Sequence, residues 1–367
     1  MEKEFDLLVF IGRFQPFHVE HKRIIDTALE KAKYVLVLVG SAGKPRTVRN
    51  PFTFDERRTM IHNAFLDRDL VDDVPATGRL IIKPLYDKTY NDTAWINQVQ
   101  TVVKETALDA VNNFGFRASG LASGKIGLIG MAKDHTSYYL KMFPQFESVD
   151  VPMTQVIHAT KIREAFLDDT LEANEAEKVL PANVVDFLFG PKSYSFGGFM
   201  NQPEFFTLQK ELEHVKSYKK AWEAAPYPVK HVTCDAVVEQ SGHVLVVKRR
   251  AEPGKGLWAL PGGHLEEFER LEDGVIRELR EETKIKVPDP VLRGSIHATH
   301  MFDDPYRSNI GRVITYAAHI KLADATSLPK VKGSDDAEKA VWLPIGDIKE
   351  EMFFDDHFHI LTYFLGL

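Results

Sequence analysis

Two short apolar runs with a helix-patterned segment between them limit the fold most. Residues 7–11 (LVFI and its leading Leu7) are apolar throughout, and so, almost entirely, are residues 34–39. Between them Ile24, Ile25, Ala28, Leu29 and Ala32 recur at helical spacing. A strand apolar at every position is buried on both faces. Strand, helix and strand within about 30 residues form a βαβ unit, so the strands are parallel and the crossover right-handed. Residues 80–82, 126–129 and 149–151 read as further buried strands. Helices are expected over 94–108, 135–143, 160–167 and 182–189. The N-terminal half is therefore expected to be α/β, with a doubly wound parallel sheet.

The pattern changes near Gly190. Residues 190–203 are rich in Gly, Ser, Pro and Phe, a charged helical segment follows over about 204–224, and Ala225-Pro226-Tyr227-Pro228 punctuates the chain. Then a hairpin pattern (231–239, a Ser241-Gly242 turn, 244–248) leads to a Gly-rich loop and a helix over 272–283. Strand-like runs at 313–320 and 340–343 and a helix at 358–365 complete a mixed α+β domain. The expected division is residues 1–190, a linker with a helix over 191–228, and residues 229–367. At 367 residues, each domain is long enough to bury its own core.

Charge and cysteine content narrow the function classes. The chain carries 46 Lys and Arg against 53 Asp and Glu, a net charge of −7. No bulk attraction to nucleic acid is expected. No apolar run reaches membrane-spanning length, the start MEKEFDLLVF lacks the pattern of a signal peptide, and Cys234 is the single cysteine. A cytoplasmic protein without membrane or nucleic-acid partners is expected. Its oligomeric state stays open, a homo-oligomer included.

The first chemical constellation is Gly12-Arg13-Phe14-Gln15-Pro16-Phe17-His18-Val19-Glu20-His21, between the first strand and first helix. Ligands of open α/β sheets bind at the carboxyl ends of strands, and a helix N-terminus offers free N–H groups to an anion. Two histidines three apart share one side of that terminus and can donate to one phosphate. In isolation such a pair is commonly only a cap. The segment resembles the signature of the nucleotidyltransferase superfamily. Ala159-Thr160-Lys161-Ile162-Arg163 resembles its second signature. Arg49-Asn50-Pro51-Phe52-Thr53, Glu56-Arg57 and Tyr90-Asn91-Asp92 with Trp95 are similar to archaeal-type nicotinamide mononucleotide adenylyltransferases. The resemblance implies attack of a mononucleotide phosphate on the α-phosphorus of ATP. It assigns His18 and His21 to the ATP phosphates and Arg163 to their β/γ end. Gly12, Arg13, Phe14, Arg49 and Thr160 join the substrate site, and Trp95 either stacks on nicotinamide or fills the core. Magnesium would bridge phosphate oxygens rather than occupy a protein cage. Glu20 stands where the family has glycine, so its carboxylate must turn away from a triphosphate. Phosphopantetheine and nicotinate mononucleotide remain alternative acceptors. Residues 120–125 imitate a P-loop but lack its first glycine and its Ser or Thr.

The second constellation starts at Gly263. After five residues comes Glu269, and after seven more Arg277-Glu278-Leu279-Arg280-Glu281-Glu282. On a helix Glu278, Glu281 and Glu282 share one face, where like charges repel unless cations intervene. Oxygen ligands suit magnesium or manganese. A solvated acidic face is the plain alternative. The spacing resembles the Nudix box, with Lys284 in place of its late glycine. The resemblance implies that Glu278, Glu281 and Glu282 hold the metal, with Glu281 and Glu282 in catalysis, and that Glu269 orients Arg277. Residues 302–312 and Asp335-Asp336-Ala337-Glu338 with Trp342 resemble Nudix domains fused to this adenylyltransferase type. That implies hydrolysis of ADP-ribose to AMP and ribose 5-phosphate; Arg307 and Arg312 are either substrate contacts or plain surface charge, and Glu338 is a late ligand or base. Another nucleoside diphosphate substrate, or a ligand-sensing role, stays open. The expectation is a bifunctional enzyme of NAD metabolism.

Overall fold

The computed structural model describes residues 3–66, 76–113, 124–131, 142–190, 197–333 and 337–367. They form two compact units, Met1–Gln209 and Lys210–Leu367.

The first unit contains β1 (Phe5–Gly12), α1 (Val19–Lys31), β2 (Ala32–Val39), α2 (Phe54–Asn63), α3 (Ala76–Arg79), β3 (Leu80–Pro84) and α4 (Asp92–Asn113). Then come β4 (Ile126–Gly130), β5 (Glu147–Asp150), α5 (Ala159–Leu167), α6 (Ala173–Ala176) and α7 (Ala182–Phe189), followed by α8 (Pro203–Ala221), which runs on into the second unit. The five strands are ordered β3-β2-β1-β4-β5 and every pairing is parallel. The order reverses between β1 and β4, so the crevice at their carboxyl ends is the place for a ligand. Leu7, Val9 and Ile11 pack with Val99, Val103 and Ala107 of α4. Leu8 and Phe10 point to the opposite face and are equally buried. Burial on both faces is why this strand reads as an unbroken apolar run.

Residues 135–141 of the expected helix at 135–143 lie outside the described residues. So do residues 120–123 of the P-loop imitation, whose Lys125 instead pairs with Glu147 at 3.0 Å and lies over the Phe5 ring. The stretch read as a linker is partly core. Phe199 is fully buried against Phe52, Phe187 and Phe205, because an aromatic ring gains more from packing against the rings of distant segments than from serving in a tether.

The second unit adds β6 (Lys230–Gln240), β7 (His243–Arg249), β8 (Trp258–Ala259), β9 (Gly262–His264), α9 (Leu271–Thr283), α10 (Asp289–Gly294), β10 (Ile296–Phe302), β11 (Arg312–Lys321), β12 (Ala337–Pro344) and α11 (His357–Leu365). The sheet order is β10-β11-β6-β7-β12, with β8 on β7 and β9 on β6. Only β11 with β6 is parallel. Val275, Ile276 and Leu279 of α9 bury against Cys234, Ala236 and Val238 of β6 and Ile320 of β11. Each such side chain contributes roughly 1.5–3 kcal/mol. This packing fixes which way the opposite, acidic face of α9 looks.

Candidate active sites at the first sheet crevice and on the acidic helix

In the first unit, His18 is the N-cap of α1 and is buried. Its Nδ1 accepts from the His21 N–H at 3.3 Å, and His21 Nδ1 accepts from the His18 N–H at 3.4 Å. The two rings stack with centroids 3.4 Å apart. Both Nδ1 atoms are therefore acceptors, so each neutral ring carries its proton on Nε2. The cap and the donor pair are one device. Phe14, expected on the substrate, is instead fully buried, with its ring edge-on to His21 at 4.9 Å. Its left-handed φ of 52° turns the ring beneath the crevice. Gly12 permits this, since a Cβ there would lie 2.7 Å from that ring.

Four arginines meet around this loop. Arg13 donates to the Arg49 carbonyl at 3.1 Å and to Asn50 Oδ1. Arg163 donates to the Gln15 carbonyl at 2.6 Å and to Thr160 Oγ1 at 3.1 Å. Burial first, then the charges of Arg49 and Arg163, pulls Arg13 down to about 9. Burial and then Arg49 pull Arg163 to about 10. Arg13 Nε and Arg163 Nε are buried and find no hydrogen-bond partner among the described residues. Buried like charges with open donors are costly unless an anion joins them.

Sequence reasoning did not single out Arg57 and Gln15 as site residues. Fully buried Arg57 donates to the carbonyls of Arg13 and Gly40, both at 2.7 Å, and to those of Ser41 and Thr53, both at 3.2 Å. It pins the ends of β1 and β2 together. Gln15 exchanges two hydrogen bonds with the Phe52 backbone, at 2.8 and 3.1 Å. Glu20 does turn away. It pairs with Arg23 at 2.8 Å and accepts from the Thr154 N–H and hydroxyl. Burial alone would raise its pKa, but these donors hold it at about 2. Trp95 is half-buried against the α4 core layer and contacts Phe143 at 5.9 Å, the core alternative of its two expected roles.

In the second unit, α9 carries the acidic face. Arg277 donates to both oxygens of Glu269, at 2.8 and 2.9 Å, to Glu278 at 2.7 Å, to Glu281 at 3.0 Å and to the His264 carbonyl at 3.1 Å. One guanidinium thus serves three carboxylates. Glu282 accepts from the Gly262 N–H at 3.1 Å. Burial first, then Glu278 and Asp235, pushes Glu282 up to about 8. Burial also raises Glu278. Gly263 lets the Glu278 carboxylate come close, since a Cβ there would lie 2.5 Å from its Oε1 and displace it.

The donor set is hard oxygen, and its crowding is the kind a divalent cation relieves. As they stand, no three His, Cys, Asp or Glu side chains among the described residues converge to chelate an ion. Glu278 and Glu281 rest on Arg277, and Glu282 rests on Gly262.

Asp235, buried in β6 and bonded to the Thr315 hydroxyl, adds a carboxylate that the sequence did not flag. Arg249, 4.0 Å over the Phe354 ring, is the cation that Glu282 and Asp235 feel. Arg307 is not free for substrate as expected. It is buried in a bidentate pair with Asp356 at 2.9 and 2.8 Å, because two buried opposite charges hold each other more cheaply than either stands alone. Arg312 donates to the Asp303 carbonyl and lies 3.6 Å from its carboxylate. Asp335 and Asp336 lie outside the described residues, and nothing is described of the Glu338 side chain.

An all-parallel sheet with a histidine pair and arginines at its switch point, and a mixed sheet bearing the Glu-rich helix, define a nucleotidyltransferase domain joined to a Nudix domain. The Cytidylyltransferase-like family model matches residues 9–165 and the NUDIX domain model residues 229–364. A nicotinamide/nicotinic acid mononucleotide adenylyltransferase of Acinetobacter baylyi is 34% identical over 186 residues, 50% of this chain and 86% of that protein. An ADP-ribose pyrophosphatase of Methanocaldococcus jannaschii is 29% identical over 134 residues, 36% of this chain and 72% of that protein. The crystal structure of a bifunctional NMN adenylyltransferase/ADP ribose pyrophosphatase from Francisella tularensis, complexed with AMP and a manganese ion, is 30% identical. It covers 99% of both chains with a TM-score of 0.84. The chain belongs to this family of bifunctional NMN adenylyltransferase/ADP-ribose pyrophosphatases.

Proposed function

We propose that the chain makes NAD from ATP and nicotinamide mononucleotide in its first unit and hydrolyses ADP-ribose in its second. The observation that carries this reading is the end-to-end likeness to the bifunctional Francisella enzyme, with residues suited to each reaction in its own unit. In the first reaction an oxygen of the mononucleotide phosphate bonds to the α-phosphorus of ATP. The bond from that phosphorus to its β-bridging oxygen breaks, and pyrophosphate leaves. No protein nucleophile is required, so catalysis is positioning and charge stabilisation. His18 and His21 donate from Nε2 to the triphosphate. Arg13, Arg49 and Arg163 gain the anion that their mutual repulsion calls for, with Arg163 at the β/γ end beside Thr160. Gly12 and Phe14 support this loop from below.

In the second reaction the oxygen of water bonds to one phosphorus of the diphosphate, the bond from that phosphorus to the bridging oxygen breaks, and AMP and ribose 5-phosphate leave. Magnesium or manganese held by Glu278, Glu281 and Glu282 would neutralise the diphosphate and acidify that water. Arg277 keeps two of those carboxylates in place and is itself fixed by Glu269. Arg249, half-buried, is the cation whose charge acts on Glu282 and is suited to a phosphate oxygen.

The test uses purified protein, magnesium and two panels. With ATP, nicotinamide and nicotinate mononucleotides compete as acceptors. Separately, ADP-ribose, NAD, NADH, diadenosine polyphosphates and nucleoside triphosphates are offered for hydrolysis. Preferential NAD formation and selective AMP release from ADP-ribose are expected. Turnover of another hydrolysis substrate in preference to ADP-ribose refutes that half of the reading.

A further inference from the structure

We propose that the cavity at the C-terminal end of α9 is a phosphate subsite, taking a phosphate group beyond the diphosphate that is cleaved. It is an open depression of about 600 Å³, lined by Arg280, Glu281, Val287, Pro288 and the exposed Lys284 and Lys286 among others. One wall is Glu281, a carboxylate of the acidic face that Arg277 organises. The other charged groups of the lining are cations. Arg280 is engaged with Asp289 and the Val287 carbonyl. No ion pair to Lys284 or Lys286 occurs among the described residues.

Basic residues are ordinary in the last turn of a helix, where the dipole favours them by a few tenths of a kcal/mol to about 1 kcal/mol. Lys284 goes beyond that. It is the C-cap of α9, in the left-handed region with φ 48° and ψ 31°, and its N–H donates to the Arg280 carbonyl at 2.9 Å. A side chain in that conformation is less favourable than glycine. The Nudix box, which residues 263–285 otherwise follow, has glycine there. The chain thus keeps both a strained backbone and an unpaired charge where glycine would remove both. Strain of this kind persists where the side chain is used. With Arg280 matched by Asp289, Lys284 and Lys286 are the charges that raise the potential over this surface, and phosphate accepts from several charged donors at once.

The inference rests on the nucleoside-diphosphate reading of the Nudix domain and narrows its substrate class to derivatives with an additional phosphate monoester. Free inorganic phosphate has the same chemistry. The full-length wild type, Lys284→Gly and Lys286→Gln are therefore assayed on ADP-ribose and on ADP-ribose 2′-phosphate, with inorganic phosphate titrated as inhibitor. Lys284→Gly should keep the fold, since it relieves the strained cap. It is expected to lower kcat/KM for the 2′-phosphate about ten-fold, the worth of one charge-assisted hydrogen bond. ADP-ribose turnover should be unchanged, and Lys286→Gln should act in the same direction. If Lys284→Gly instead loses only inhibition by inorganic phosphate, the subsite stands and its occupant is free phosphate. An unchanged substrate ratio together with unchanged inhibition in both variants overturns the subsite. If the wild type hydrolyses neither compound, the ADP-ribose reading fails, and calorimetric binding of inorganic phosphate to wild type and Lys284→Gly then decides the subsite alone.

Discussion

His18 and His21 cap α1 with the same nitrogens that set their tautomers. A substitution there therefore acts on both stability and chemistry. His18→Ala removes an N-cap, at about 1 kcal/mol, and one of two donors aimed at developing phosphate charge. NAD formation should fall about 10²–10³-fold, while ADP-ribose hydrolysis stays at the wild-type rate. Steady-state assays of both reactions, with urea unfolding alongside, check this. Undiminished NAD formation would leave His18 as a cap alone. Glu20 makes a separate claim. Its folded pKa of about 2 lies below its ordinary value of 4.5. Its stabilising contribution is thus complete above pH 4.5 and is lost as pH falls toward 2. Glu20→Gln should flatten the acid limb of the stability–pH curve of the first unit in that window. A curve parallel to wild type would show that the Arg23 and Thr154 contacts carry no net weight.

Among the elements, α9 shows how a helix is divided between core and chemistry. Its apolar face is fixed by Cys234, Ala236 and Ile320, and Arg277 on its other face holds Glu269, Glu278 and Glu281 together. Lysine cannot span three carboxylates with a planar fork. Arg277→Lys should therefore raise the metal concentration needed for half-maximal hydrolysis about 10–100-fold. A metal titration followed by AMP release measures it, and an unmoved midpoint would contradict the role. What the sequence disclosed follows the same logic. β1 and β2 were legible because burial on both faces leaves an apolar run, and α9 because its acids keep helical spacing. β10 was not legible, since Thr299, His300 and Met301 are all exposed and give no alternation. Arg57 was not legible as a site residue, because its partners at residues 13, 40, 41 and 53 meet only after folding. Phe14 and Arg307 are both buried, because neighbours in a motif can face opposite ways, one toward solvent and one toward core. Asp235 was not legible because Thr315, its partner on the neighbouring parallel β11, meets it only in the fold.

For the molecule as a whole, the residues proposed for each reaction fall within one unit, His18 to Arg163 in the first and Asp235 to Glu282 in the second. Among the described residues no helix is long and apolar enough to cross a membrane. The central claim is that one chain carries two separable reactions. The most direct test offers ATP, nicotinamide mononucleotide, ADP-ribose and magnesium together to wild type, His18→Ala and Glu282→Gln, with NAD and ribose 5-phosphate quantified by chromatography. Wild type should yield both products, His18→Ala only ribose 5-phosphate in quantity, and Glu282→Gln only NAD. Loss of both products in either single variant, with the protein still folded, would contradict two separable sites.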